Sequence, residues 1–260
     1  MGERTEYTPG TFSWTDLTTN DQPAAKQFYS ALFGWEATDS PIGDGVVYSM
    51  MSIGGKNVAA ISPQQFQQAE AGAPPTWNSY VTVESADTAA QKAGQLGAIV
   101  IAPPFDVMDA GRMAAIQDPQ GAYINVWEPK SNIGADLVTV PGALCWNELS
   151  TPDIDASAKF YSDLFGWSVD AVEGMGMPYS TIKTADGSSN GGIRPAMPPG
   201  APPFWLTYFG TDDIEAALAK SAQLGGTTLV ETMDIGVGKL AVSQDPQGAV
   251  FALYEGDFDD

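Results

Sequence analysis

Apolar and polar positions alternate over short runs, then recur at three- and four-residue spacing, and this whole sequence of patterns occurs twice. The apolar and β-branched run from Phe12 to Leu17 predicts a strand. Asp21 followed by Pro23 predicts a helix start, with the proline in the first turn where its missing N–H costs nothing. Ala25, Phe28, Tyr29 and Leu32 form the apolar stripe of that helix, and Gly34 its stop. Strands are predicted from Val46 to Ile53 and from Val58 to Ile61. After a Pro/Gly-rich loop come a strand from Trp77 to Val83 and a helix from Ala86 to Leu96, closed by Gly97. The second half repeats the pattern: a strand from Leu144 to Leu149, a start at Asp153, a stripe of Ala156, Phe160, Tyr161 and Leu164, and a stop at Gly166. Strands near Tyr179 to Lys183 and Gly192 to Arg194 follow, then a strand from Trp205 to Phe209 and a helix from Ile214 to Leu224. Two further strands end each half, split by an Asp-Pro-Gln-Gly turn.

The repetition extends to residue identity. Phe28-Tyr29-Ser30-Ala31-Leu32-Phe33-Gly34-Trp35 returns as Phe160-Tyr161-Ser162-Asp163-Leu164-Phe165-Gly166-Trp167. Trp77-Asn78-Ser79-Tyr80-Val81 matches Trp205-Leu206-Thr207-Tyr208-Phe209, and Asp118-Pro119-Gln120-Gly121-Ala122 matches Asp245-Pro246-Gln247-Gly248-Ala249. Three anchors in one order mark a duplicated domain, because solenoid repeats run to only roughly 20–50 residues. The expected domains are 1–132 and 138–260, joined by a linker from Pro129 to Pro141. Each half reads βαβββαββ, or as two βαβββ units with weaker strands left open.

Acidic residues outnumber basic ones 32 to 11, for a formal charge of −21. Such a surface repels nucleic acid and anionic membranes, so neither is an expected partner. No apolar leader or bilayer-length run is present, and a cytoplasmic location is expected. The chain contains no histidine and one cysteine, Cys145, which excludes Ser–His and Cys–His nucleophilic pairs, His-containing zinc sites and thiolate clusters. Cys145 adjoins Trp146 and is expected to point into the helix–sheet layer as an inert thiol.

These residues together resemble the vicinal-oxygen-chelate superfamily, the group of glyoxalase I, extradiol dioxygenases and bleomycin-resistance proteins. The resemblance rests on an Asp seven residues before an aromatic pair (Asp21 and Phe28, Asp153 and Phe160), a helix ending at Gly, and the late Asp-Pro-Gln-Gly turn. Phe-Gly-Trp after the helix is more narrowly similar to an actinobacterial glyoxalase-like hydroxylase and antigen branch. The resemblance implies an α+β fold, with two tandem glyoxalase-like domains of paired βαβββ modules forming a cupped, partly open mixed sheet. It also implies metal-ligand positions on the first strand and on the strand after the turn. Here those positions hold Trp14, Trp146, Asn125 and Ala252. A divalent cation needs several O or N donors at once, so no metal and no cofactor is expected. An oxygen site of Asp16, Glu148 and Asn125 is the one remaining arrangement, and two indoles would crowd it.

On strand alternation Trp14, Trp146, Trp127, Tyr254, Tyr123 and Asn125 face the implied cup, where aromatic faces suit a flat apolar ligand. Trp35, Trp167, Trp77 and Trp205 read instead as core. Asp16 and Glu148 share the cup face and are the candidate acid/base groups, since a carboxylate among indoles has a raised pKa. Arg112 and Lys239, matched across the repeat, read as structural ion pairs. The segments from Glu36 to Val46 and from Ser168 to Pro178, with Met175 and Met177, read as loops able to close over a cleft. The expected function is metal-free binding of a hydrophobic aromatic or polyketide-like small molecule, for self-protection or beside a biosynthetic enzyme partner. The alternative is a metal-independent cyclase, isomerase or accessory hydroxylase. Monomer and homodimer both remain open.

Overall fold

The computed structural model describes every residue except 1, 44, 66–69, 71, 175 and 258–260, so Met175 lies outside the described residues. Four βαβββ modules follow one another along the chain. The first contains β1 (Phe12–Thr19), α1 (Gln22–Phe33), β2 (Glu36–Gly43), β3 (Val46–Ile53) and β4 (Lys56–Pro63). The second contains β5 (Thr76–Thr82), α2 (Ala86–Gln95), β6 (Ile99–Val107), β7 (Gly111–Gln117) and β8 (Tyr123–Pro129). The third contains β9 (Leu144–Thr151), α3 (Ile154–Phe165), β10 (Ser168–Ala171), β11 (Ser180–Lys183) and β12 (Ser189–Pro195). The fourth contains β13 (Phe204–Gly210), α4 (Ile214–Gln223), β14 (Thr227–Asp234), β15 (Gly238–Gln244) and β16 (Val250–Gly256).

The first two modules pair into one eight-stranded mixed sheet of order β2-β3-β4-β1-β5-β8-β7-β6. The last two pair into a second sheet, β10-β11-β12-β9-β13-β16-β15-β14. At each centre the first strands of two modules run antiparallel, β1 against β5 and β9 against β13. The helices start and stop as the sequence dictates. The Asp21 carboxylate accepts from the Ala24 N–H at 3.1 Å and Asp153 from Ala156 at 2.9 Å, while Gly34 (φ 76°) and Gly166 (φ 77°) close them in the left-handed conformation.

The helices lie between the two sheets, and the packing crosses the halves. Phe28, Tyr29 and Leu32 of α1 share a core with Phe209 and Phe251 of the second sheet and with Ile214 and Leu218 of α4. Phe160, Tyr161 and Leu164 of α3 share one with Val81, Ile116 and Ile124 of the first sheet and with Ala90 of α2. The repeat anchors are the seam of this exchange. Tyr29 Oη donates to Asp245 Oδ2 (3.0 Å) and accepts from Trp77 Nε1 (3.0 Å). Tyr161 Oη donates to Asp118 Oδ2 (2.8 Å) and accepts from Trp205 Nε1 (3.0 Å). Trp35 Nε1 reaches the Gly142 carbonyl and Trp167 Nε1 the Gly10 carbonyl. The four tryptophans read as core are therefore core, each with its N–H satisfied.

The structure departs from the sequence reading at the sheet edges. The segments read as closing loops contain edge strands: β2 pairs along β3, and β10 along β11. Every position of β2 is exposed or half-buried, so no apolar alternation marks it. The sequence pattern likewise does not separate the edge strands β6 and β14 from their neighbours, because neither has a fully buried position.

Candidate functional site

Opposite its helices each sheet curls into a cup, and the cups face away from one another. The aromatic residues expected to face the cup divide between these two cups. Because modules pair within a half, Trp14 and Trp127 lie in the N-terminal cup with Tyr80, while Trp146 and Tyr254 lie in the C-terminal cup with Tyr208 and Ala252. Asp16 and Glu148 are separated in the same way. The three-oxygen site with Asn125 therefore does not form.

In the N-terminal cup, Asp16 is 6% exposed and accepts three hydrogen bonds. Tyr48 and Tyr80 donate to Oδ2 at 3.0 and 2.9 Å, and Asn78 donates to Oδ1 at 2.8 Å. Trp14 Nε1 donates onward to Tyr48 Oη at 3.1 Å. Burial pushes the Asp16 carboxyl above its ordinary value, against the opposing pull of the three donors. Burial and the Asp16 charge push both tyrosines well above theirs, so they remain protonated donors. A carboxyl raised in the folded state contributes stability fully below its unfolded pKa of about 4, and loses it as pH rises through the folded value. Asp16→Asn is therefore expected to gain stability relative to wild type between pH 4 and pH 7. Urea unfolding at both pH values checks this, and a pH-independent difference would contradict it.

The C-terminal cup repeats the constellation with other partners. Trp146 Nε1 donates to Tyr179 Oη at 3.2 Å, and Tyr179 and Tyr208 both hydrogen-bond Glu148. The position of Asn78 is taken by Leu206, opposite Glu148 across β9 and β13, and Arg194 stands where the first sheet has Ser62. Arg194 Nε forms an ion pair with Glu148, whose side chain is 7% exposed against 18% for the arginine. Gly192, where the first sheet has Ala60, leaves the space that Tyr179 Oη occupies, so a Cβ there would displace the hydroxyl.

The cups also differ in access. Residues of the linker join the N-terminal cup: Ala135 and Val138 are buried in one apolar cluster with Trp14, Tyr80, Trp127 and Leu144. The Ala135 N–H donates to the Ser13 carbonyl at 2.8 Å, and Tyr7 Oη donates to the Ala135 carbonyl at 2.7 Å. Gly134 allows the approach, with φ +116° and no Cβ to strike Ser13. Trp14 is buried in consequence, whereas Trp146 is only partly buried.

The remaining expected site residues are scattered. Trp127 bonds the Asn132 carbonyl at 2.9 Å and Tyr254 the Val237 carbonyl at 2.9 Å. Tyr123 is 59% exposed on the rim, and Asn125 aligns with Tyr80. Arg112 pairs with Asp87 and Asp106, and Lys239 with Glu255, as expected. Cys145 is a correction. A bulge between Leu144 and Trp146 breaks the alternation and turns it toward Trp146, Leu206 and Ala252 instead of the helix layer. Its sulfur contacts the Tyr208 carbonyl at 3.5 Å, and burial pushes the thiol pKa up. The sequence pattern does not single out the tyrosines Tyr48, Tyr80, Tyr179 and Tyr208 or the cation Arg194 as site residues. The recurring Tyr-Ser pair at Tyr48 and Tyr179, and the repeated Tyr80 and Tyr208 three residues after a tryptophan, were the available signals. A concavity of about 510 Å³ beside Arg4, Lys56 and Asp136 lies outside both cups, and Lys56 there is paired with Glu3.

Fold and site together define tandem cupped βαβββ domains, and the chain belongs to the Glyoxalase/Bleomycin resistance protein/Dioxygenase superfamily, whose profile matches residues 11–126 and 144–253. The Mycobacterium bovis protein CFP32 is 44% identical over 258 residues, covering 98% of each chain. The anthracycline biosynthesis protein DnrV of Streptomyces peucetius is 32% identical over 263 residues, covering 96% of this chain and 95% of its own. Among solved structures, the Mn(II)-bound glyoxalase from Novosphingobium aromaticivorans shares the fold with a TM-score of 0.65 at 16% identity, covering 97% of this chain and 85% of that one.

At the positions that the resemblance assigns to metal ligands the chain carries two tryptophans, an asparagine and an alanine. Strand register aligns Trp14, Tyr80 and Asn125 in one cup and Trp146, Tyr208 and Ala252 in the other. Indole and methyl groups offer no donor to a hard or borderline cation. Among the described residues, no group of three or more His, Cys, Asp or Glu side chains stands close enough to hold one. No helix of the described residues is long and apolar enough to cross a membrane.

Proposed function

We propose that this chain is a metal-free small-molecule binding protein of the glyoxalase/bleomycin-resistance type, holding a flat apolar ligand, aromatic or polyketide-like. Its role is self-protection or accessory to a biosynthetic enzyme. The observation carrying this reading is the pair of adjacent aromatics in each cup, Trp14 beside Tyr80 and Trp146 beside Tyr208, with the tryptophan at a position the superfamily resemblance assigns to a metal ligand. Flat ligands gain from such a surface, each aromatic pair being worth roughly 0.5–1.5 kcal/mol beyond area burial. The similarity to a protein named for anthracycline biosynthesis supports the ligand class. The test is equilibrium dialysis against Mn²⁺ and, separately, titration with 1,8-dihydroxyanthraquinone. Saturable binding of the quinone, with no retained metal and an unchanged thermal midpoint in chelator, is the expected result. Stoichiometric metal surviving desalting would contradict it.

A second reading is favoured by one feature, the buried Asp16 ringed by protonated tyrosines. There the chain is a metal-independent cyclase, isomerase or accessory hydroxylase with Asp16 or Glu148 as acid/base. Asp16→Asn separates the two readings, since it leaves ligand affinity intact in a binder and abolishes turnover in an enzyme that uses this group.

A further inference from the structure

The two cups carry the same tryptophan–tyrosine–carboxylate–tyrosine arrangement, and three differences between them all bear on access and charge. The linker closes the N-terminal cup: Ala135 and Val138 are packed onto Trp14 and Trp127, and Tyr7 is tied to the Ala135 carbonyl. The corresponding bulge of the C-terminal cup, at Cys145, leaves Cys145 and Trp146 partly open. The carboxylates differ as well. Asp16 has all its partners among neutral donors of its own sheet, whereas Glu148 is bound by a guanidinium that keeps part of its surface open. The wall changes in the opposite sense, since Leu206 replaces Asn78, and Leu240, Val242 and Ala252 continue it as an apolar floor. One end of this cup is thus an oxygen-recognising group of arginine, carboxylate and two tyrosine hydroxyls, and the remainder is flat and greasy.

We propose that the ligand occupies the C-terminal cup alone, and that Arg194, held by Glu148, selects flat ligands carrying a carbonyl or phenolic oxygen on one edge. This rests on the flat-ligand reading above and adds the cup, the ligand's polar edge and the residue that reads it. The ring system lies on Trp146, Tyr208 and the apolar floor, and its oxygen accepts from the Arg194 guanidinium. Glu148 accepts from Arg194 Nε and the Pro195 carbonyl from Nη1 at 3.2 Å, and these two contacts orient the fork. The N-terminal cup is a structural copy sealed by its own linker.

Two probes with the same three-ring skeleton test this: 1,8-dihydroxyanthraquinone and anthracene, each titrated by fluorescence against wild type and Arg194→Leu. Loss of a charge-assisted hydrogen bond weakens the quinone about tenfold or more, and anthracene affinity stays within about twofold. Because Arg194→Leu leaves Glu148 without its cation, the double variant Glu148→Gln/Arg194→Gln provides the same comparison without a buried orphan charge. Unchanged quinone affinity in these variants, or equal losses for both probes in folded protein, would overturn the proposal and leave the flat-ligand reading standing. Binding of neither probe to wild type would overturn both.

Discussion

Asp118→Ala is expected to lower the free energy of unfolding by about 3–5 kcal/mol, more than any surface change in this chain. One carboxylate oxygen of Asp118 accepts the backbone N–H groups of Gln120, Gly121 and Ala122 at 2.9, 2.7 and 2.9 Å. The other accepts the Tyr161 hydroxyl from the opposite half of the molecule. Alanine removes all four acceptor contacts at a site only 4% exposed, leaving donors that water cannot fully reach. Asp118→Asn keeps one carbonyl oxygen for the turn and should cost about 1–2 kcal/mol, and Tyr161→Phe about 1 kcal/mol. Urea unfolding with the linear extrapolation checks the series. A loss under about 1 kcal/mol for Asp118→Ala would mean that the turn does not lock the two halves. The equivalent change at Asp245, which accepts from Gln247, Gly248, Ala249 and Tyr29, should behave alike.

The second large effect falls on binding. Trp146→Ala is expected to weaken 1,8-dihydroxyanthraquinone by about 2 kcal/mol, roughly thirtyfold, since it removes the largest open aromatic face of the C-terminal cup. Trp146 is partly exposed, so truncation costs less stability than the same change at a core tryptophan such as Trp35, which is 3% exposed and bonded to Gly142. The titration, made alongside a thermal melt, separates lost contact from lost fold. An affinity within threefold of wild type would mean the ligand does not stack there.

Why the sequence betrays the modules but not the cups follows from the same physics. Helix stripes such as Phe28–Tyr29–Leu32 and caps such as Asp21 and Gly34 are local and leave full periodic signals. Edge strands such as β2, with no buried position, leave none. Alternation placed Trp14 with Asp16 and Trp146 with Glu148 on shared faces, because a strand's period of two is local as well. It could not say that these pairs occupy opposite faces of the molecule, since that depends on which modules pair into one sheet. Nor could it find Arg194 beside Glu148, a contact made across the parallel strands β12 and β9. The bulge that turns Cys145 toward the cup has no composition signal of its own.

The cross-packed helices also explain what the duplication conserves. Phe28-Tyr29 and Asp-Pro-Gln-Gly recur because each contacts the other half's copy of its partner, so that Tyr29 meets Asp245 and Tyr161 meets Asp118. Residues freed from that seam, Ser62 against Arg194 and Asn78 against Leu206, are where the two cups diverged. Structural constraint lies between the sheets, and chemical difference lies on their outer faces.

In the binding reading an aromatic cup holds an organic ligand where metal ligands would otherwise stand. Native mass spectrometry of the protein purified from its own organism tests it most directly. The expected result is a mass excess matching one flat organic compound per chain, released on denaturation, with no stoichiometric metal. A protein carrying one divalent ion per chain and no organic compound would contradict it.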